Sequence, residues 1–183
     1  MKKTIAALGI VSALLLPLVA QSQGARTISI GASGGLSLPI GDLGKGTDPG
    51  YTVAGHLFFR PASLNKAQIR ADVSYDSWKF SALSSVTRTS LGVTGNVLVP
   101  LSGDGSTSGL YLLGGGGMFR SAVSGSTGIG NPSVSSTDAG VQGGAGLQFA
   151  LSGFSTFAEV KIVNVFGGGS SARYVPITFG VRF

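Results

Sequence analysis

The residues able to do chemistry in this chain are few. The 183 residues contain no Cys and one His, His56, with 13 Lys and Arg against 7 Asp and Glu. The absence of cysteine excludes a disulfide framework, a thiolate metal site, a cysteine nucleophile and a lipid-modified N-terminal cysteine. His56 could serve as a general base for a nucleophile only if the fold set a serine and a carboxylate beside it, near a rim. Its neighbours in sequence, Leu57 and Phe58, supply neither. The expectation is a packed histidine and no enzyme. The glycine runs Gly114–Gly117 and Gly167–Gly169 could cradle a phosphate, but neither leads into Lys-Ser/Thr or a helical pattern. Asp42, Asp48 and Asp104 stand among glycines as turn formers, without the D-x-D-x-D-G spacing of a calcium loop. Neither metal nor cofactor is expected.

Composition narrows the setting in which such residues must be positioned. Only 11% of residues are charged, 43% are hydrophobic, 31 are Gly, and the mean hydropathy is +0.38. Soluble domains carry about a quarter charged residues, and disordered chains are poorer in apolar residues. Lys2 and Lys3 precede the apolar run Ile5–Ala20, and Ala20 and Ser22 suit the positions −3 and −1 of a cleavage site. Residues 1–22 therefore read as a signal peptide for export, and 23–183 as a single domain. Removing the two leader lysines takes the 13 basic residues to 11 against 7 acidic, so the net charge falls from +6 to +4. That leaves little support for a nucleic-acid partner, and none is expected. No later apolar run reaches the roughly 20 residues of a membrane helix, so any crossing must be made by strands.

Alternation supplies them. Val175, Ile177, Phe179, Val181 and Phe183 alternate with Thr178, Gly180 and Arg182, and Ile28, Ile30, Ala32, Leu36, Leu38 and Ile40 alternate with Ser29, Gly31, Ser33, Gly35 and Ser37. Side chains of a strand point to opposite faces, so each segment has one apolar face. Further strands are predicted at 51–60, 67–76, 87–101, 110–119, 138–151 and 154–166, making eight. The facing of 110–119 is ambiguous, and 154–166 is mixed, because Phe157, Val163 and Val165 share parity with Glu159 and Lys161. The intervening segments alternate long and short: 41–50, 77–86, 120–137 and 167–172 against 61–66, 102–109 and 152–153. An up-and-down transmembrane barrel predicts that asymmetry, with long external loops and short periplasmic turns. Ser152-Gly153 and Asp104-Gly105 suit tight turns.

The expected fold is an all-β, eight-stranded antiparallel up-and-down transmembrane β-barrel. Its polar face is mostly Ser, Thr, Gly and Gln, as suits a crowded lumen rather than a solvated surface. The charges assigned to that face, Arg60, Arg70, Asp72, Asp76, Arg88, Asp138, Glu159, Lys161 and Arg182, must pair if buried in a narrow barrel. Tyr51, Tyr75, Trp78, Phe80, Tyr111, Phe119 and Tyr174 lie near strand ends, where an aromatic girdle would form. Trp78, Lys79 and Phe80, with the Ser- and Gly-rich segment 120–137, form the expected external recognition surface.

The ending Tyr174-Val-Pro-Ile-Thr-Phe-Gly-Val-Arg-Phe183 resembles the C-terminal signal read by the barrel-assembly machinery, with Tyr174, Phe179, Val181 and Phe183 as its signal residues. Gly35–Asp42 with Gly50-Tyr51, then Gly143–Phe149 and Phe157–Lys161, are similar to strands of the small outer-membrane β-barrel proteins, the OmpA/OmpX-like porin family. The resemblance covers nearly all of 23–183. It implies a monomer in the outer membrane, in contact with lipid and lipopolysaccharide, and no particular reaction. Some barrels of this size modify lipid A with a His, a Ser and an acid, but His56 lacks the His-x-Ser arrangement of the deacylase type. A structural or surface-interaction role is expected. A narrow pore for small or hydrophobic solutes and a soluble secreted ligand-binding barrel are the alternatives.

Overall fold

The computed structural model describes residues 28–64, 67–82, 86–101, 108–125, 133–167 and 171–183. The leader assigned to 1–22, the Asp104-Gly105 turn and most of the segment around Pro132 lie outside the described residues. Eight strands follow in order: β1 Ile28–Ile40, β2 Gly50–Phe59, β3 Gln68–Lys79, β4 Val86–Pro100, β5 Gly109–Gly125, β6 Ser133–Ala150, β7 Ser155–Phe166 and β8 Ser171–Arg182. Each pairs antiparallel with the next, and β8 closes on β1. Ser152-Gly153 makes a tight turn between β6 and β7, with Gly153 at φ 92° and Leu151 N–H donating to the Phe154 carbonyl at 2.8 Å. A positive φ there suits glycine alone among common residues.

Register fixes the barrel's shape. Paired residues lead from Ile30 through Leu57, Ala71, Gly95, Gly116, Val141, Asn164 and Arg173 back to β1 at Ile40, a stagger of 40 − 30 = 10 residues. Such a stagger over eight strands tilts them by about 40° and leaves an interior that side chains can fill. Outward positions are apolar all round the wall, as with Val53, Val73, Val93, Ile162 and Phe179, the last 72% exposed. From Phe149 and Phe183 near one rim to Leu91 and Met118 near the other, this band climbs about 25 Å along the tilted strands, the height of a hydrocarbon core. Apolar residues outside and polar ones inside are the reverse of a soluble barrel.

Alternation also settles the two blurred strands. On β5 the odd residues Tyr111, Leu113 and Phe119 are buried and face in, while Leu110, Leu112 and Met118 face out. On β7 Phe157, Glu159, Lys161, Val163 and Val165 all face in, against outward Val160, Ile162 and Phe166. Large inward rings fit because glycines face them. A Cβ on Gly92 or Gly140 would stand 2.8 or 2.7 Å from the Phe119 ring, and one on Gly146 would strike the Tyr111 ring.

One expectation fails. Strand takes in part of 77–86 and every described residue of 120–137: β3 runs to Lys79, β4 starts at Val86, β5 runs to Gly125, and β6 starts at Ser133. The connections at the rim opposite the termini are 41–49, 80–85, 126–132 and 167–170, no longer as a group than 60–67, 101–108 and 151–154 at the terminal rim. The asymmetry lies in strand length instead. Ladder pairing carries β4, β5 and β6 past the apolar band as a projecting sheet, because alternating Ser, Thr, Ala and Val can hold strand structure where neither face needs to be greasy.

Candidate functional site

The lumen is filled in layers. Nearest the terminal rim, Phe58, Leu98, Tyr111, Leu113 and Phe157 form one buried apolar cluster. Toward the other rim Leu43, from the first connection, packs with Trp78, Phe119, Val163, Val165 and Tyr174. The Trp78 and Tyr174 rings meet edge-on at 4.9 Å. A polar layer lies between these two plugs.

Arg70 on β3, with 0% exposure, is its centre. Its two terminal nitrogens reach both Glu159 oxygens at 2.7 and 3.0 Å, and its Nε lies 2.8 Å from Asp72 Oδ1. Glu159 also accepts from the Tyr111 hydroxyl at 2.9 Å and stands 3.4 Å from Lys161 Nζ. Asp72 accepts from Asn96 at 3.0 Å, and Asn96 in turn takes a 2.6 Å bond from Gln142. A bidentate guanidinium–carboxylate pair with its remaining valences filled is the arrangement in which buried charge is tolerated.

His56 joins the same layer. Its Nδ1 lies 2.7 Å from Asp72 Oδ1 and its Nε2 2.8 Å from Ser33 Oγ. Serine, histidine and aspartate are thus linked in the order of a hydrolase triad, which sequence neighbours alone could not reveal because Ser33, His56 and Asp72 come from three strands. Two members of the chain are engaged further. Asp72 is shared with Arg70 and Asn96, the His56 ring is packed against Phe58 and Phe157 at 5.9 and 5.6 Å, and apolar layers close the lumen on both sides. Strand N–H groups that would have to stabilise an oxyanion are committed to the barrel ladder.

Of the charges assigned to the lumen, Arg70, Asp72, Glu159 and Lys161 come together here. Asp76 stands apart near Ser37 and Tyr174. Arg182 faces in at the terminal rim, bonding Ser29 at 2.7 Å and Gln68 at 2.8 Å with its guanidinium 4.3 Å above Phe58. Arg88 is half-buried beside Trp78 across the β3–β4 ladder. Asp138 bonds Ser136 at 2.8 Å on the projecting sheet. Arg60 is a correction: it lies just past the end of β2 and is exposed, since the inward parity that placed it in the lumen ends with the strand.

Trp78 is a second correction. It is not an external recognition residue but 1% exposed inside the barrel, because β3 continues three residues beyond the predicted end and keeps its inward parity. Lys79 is exposed, and Phe80 is half-buried, bridged to Thr47 of the first connection. Among the C-terminal residues, Phe179, Val181 and Phe183 share the outward side, whereas Tyr174 is buried in the lumen. Sequence reasoning missed Ser33, Asn96 and Gln142 as partners in the network, although each carried the inward parity that could have found it.

The projecting sheet differs from the wall below it in one respect. β6 pairs with β5 along Ser133–Gln148, but with β7 only from Gly140. Residues 133–139 therefore present an edge with no ladder partner among the described residues. Val134 on it is 75% exposed, and Asp138 is its one charge.

No protein family model matches this sequence, and no curated protein does. Solved structures do. Neisserial surface protein A (NspA) superposes with a TM-score of 0.63 at 16% identity, over 87% of this chain and 98% of that one. Ail, the attachment invasion locus protein of Yersinia pestis, gives 0.59 at 14% identity, over 87% and 100%. The N-terminal β-barrel domain of Pseudomonas aeruginosa OprF gives 0.54 at 16%, over 88% and 100%. The chain has the fold of these small transmembrane barrels, and at such identities the likeness speaks for architecture alone.

Proposed function

We propose that this protein is an integral outer-membrane barrel whose lumen is a structural core, and that it acts through its surface, engaging an extended polypeptide at the β6 edge. One observation carries the reading: residues 133–139 form a strand edge beyond the apolar band with no ladder partner among the described residues, while the polar groups of the lumen are turned toward one another. An unguarded edge offers a row of backbone donors and acceptors, the feature by which sheets accept an added strand. Edges are ordinarily blunted by charged side chains, Pro or a bulge, and of these Val134-Ser-Ser-Thr-Asp-Ala139 has Asp138 alone.

Export by the 1–22 leader, assembly through the C-terminal residues and contact with outer-membrane lipid complete the proposal. The two apolar plugs speak against the pore, and the outward apolar band against a soluble ligand carrier. With no native cysteine, a Val134→Cys variant tests location and orientation together. A membrane-impermeant maleimide should label it in intact cells, and the protein should fractionate with the outer membrane and migrate differently when heated. Labelling only after cell disruption, or recovery in the soluble periplasm, would overturn the reading. Planar bilayers should show no steady conductance, and lipid A profiles should be unchanged in His56→Ala.

A further inference from the structure

On the reading that β6 accepts an added strand at residues 133–139, the side chains of that edge decide which strand it accepts. Parity continues from the barrel: Gln142 faces in, so Asp138, Ser136 and Val134 stand on the inner face of the projecting sheet, while Thr137 and Ser135 stand on the outer. Val134 has Val123 beside it on β5, has no ladder neighbour on its other side among the described residues, and is 75% exposed. Asp138 accepts a bond from the Ser136 hydroxyl at 2.8 Å, and among the described residues no Lys or Arg comes within 4.0 Å of it. The segments flanking the edge, 126–132 and 168–170, contain neither Lys nor Arg. A carboxylate without a counter-charge and an apolar side chain without a neighbour thus stand four residues apart on one face of the same edge.

Cross-strand neighbours attract when both are apolar or when their charges are opposite, and repel when their charges are alike. That rule separates the possible occupants. A second copy pairing edge to edge brings no cation to Asp138, since residues 126–140 contain neither Lys nor Arg, and a charge at an edge is a device against such pairing. A strand that carries a cation meets no such barrier. Direction follows from the barrel, where every neighbouring pair is antiparallel and the ladder between β6 and β7 ends at Gly140 and Val165. A strand added antiparallel to β6 therefore begins beside Asp138, where β7 leaves off, and runs outward past Val134.

We propose that the β6 edge selects a segment of another polypeptide with the pattern basic-x-polar-x-apolar, read from its N-terminal end: a Lys or Arg beside Asp138, a hydroxyl beside Ser136 and a β-branched or aromatic side chain against Val134. The two intervening residues lie on the outer face with Thr137 and Ser135 and take no part in the choice. Backbone rungs hold the segment, and the three inner side chains set its register and direction.

Capped peptides titrated into the micellar protein, followed by the amide shifts of residues 133–139, test the choice. A peptide with Lys-Thr-Ser-Thr-Val at its centre should bind, and Glu in place of its Lys should weaken binding about three- to tenfold. In Asp138→Lys that order should invert, and in Asp138→Asn the two peptides should bind alike. The reversed sequence Val-Thr-Ser-Thr-Lys should bind wild type about two- to fivefold less tightly than the forward one. Asp138 lies above the apolar band, and heat-modifiable migration checks that each variant keeps the barrel. Equal affinity of the Lys and Glu peptides for wild type, or a dimer joined through residues 133–139, overturns the choice of partner and leaves strand addition standing. Shifts with no peptide at all remove strand addition and the choice together.

Discussion

Gln142, on the part of β6 that closes the barrel, donates to Asn96 at 2.6 Å and is buried. Eight positions earlier on the same strand Val134 is 75% exposed on an edge that, among the described residues, pairs on one side only. The two regions share a backbone ladder and similar small polar residues, yet they dispose of their polar groups in opposite ways. In the lumen the costly items are side-chain charges, and they are turned onto one another. In the projecting sheet the side chains are nearly neutral, and the unspent hydrogen-bonding capacity belongs to the backbone. Stability should therefore depend on lumenal side chains and interaction on the projecting backbone.

The sharpest test of that division is Glu159→Ala. It leaves Arg70 buried with Asp72 as its remaining acid and strips the Tyr111 hydroxyl of its acceptor. Breaking such a pair on one side costs about 3–5 kcal/mol, read as a lowered unfolding midpoint in micelles. Replacing both partners, as Arg70→Met with Glu159→Leu, should cost less than the single change, because the guanidinium leaves with its carboxylate and the two charges that lose a partner, Asp72 and Lys161, are opposite in sign. Equal losses would show that the pair itself supplies the stability.

Trp78→Ala should follow at about 3 kcal/mol, since it opens a cavity under Leu43 and removes the edge-on contact with Tyr174. A surface recognition residue would lose almost nothing, so this variant also tests the correction of its place.

How much of this could be read from the sequence differs between the regions for a physical reason. The wall was legible because a lipid-facing side chain must be apolar at every second position, and Val53, Val73, Val93 and Phe179 obey that rule strictly. Facing on β5 was not legible, because Gly114–Gly117 carry no side chains to alternate, and Tyr111 and Phe119 face inward only because Gly146, Gly92 and Gly140 make room for them from other strands. The projecting sheet reads as loop in the sequence because outside the membrane neither face of β5 or β6 must be apolar, so the Ser- and Gly-rich sequence loses the period-2 signal while the ladder continues. Arg70, Asp72, Glu159 and Lys161 could be named from parity as groups that must pair. Their actual partners depend on the ten-residue stagger, which no local pattern encodes.

His56→Ala should cost less than either change above, about 1–3 kcal/mol for the polar partners it leaves. Asp72 keeps Arg70 and Asn96, and Ser33 alone loses its partner. Ser33→Ala, which leaves the His56–Asp72 contact in place, should cost less still. A loss from Ser33→Ala as large as that from His56→Ala would mean that the serine matters more than its single hydrogen bond allows.

The smallest expected effect on stability is the one that most directly probes the projecting edge. Along β6 the N–H groups of consecutive residues point alternately toward β5 and away from it. Ser135→Pro and Ser136→Pro therefore remove different donors. One breaks a rung to β5 and lowers the hairpin's resistance to protease, whereas the other removes a donor from the free edge, where proline is tolerated, and should shift stability by less than about 0.5 kcal/mol. Amide hydrogen exchange on the paired residues identifies which is which. Only the second variant separates folding from interaction: it should keep the barrel, its heat-modifiable migration and its outer-membrane fractionation, and lose strand addition at residues 133–139. Its equal competence in binding an added strand would remove the edge from the account, and leave the exposed side chains of the sheet, with Val134 first among them, as the surface to be tested.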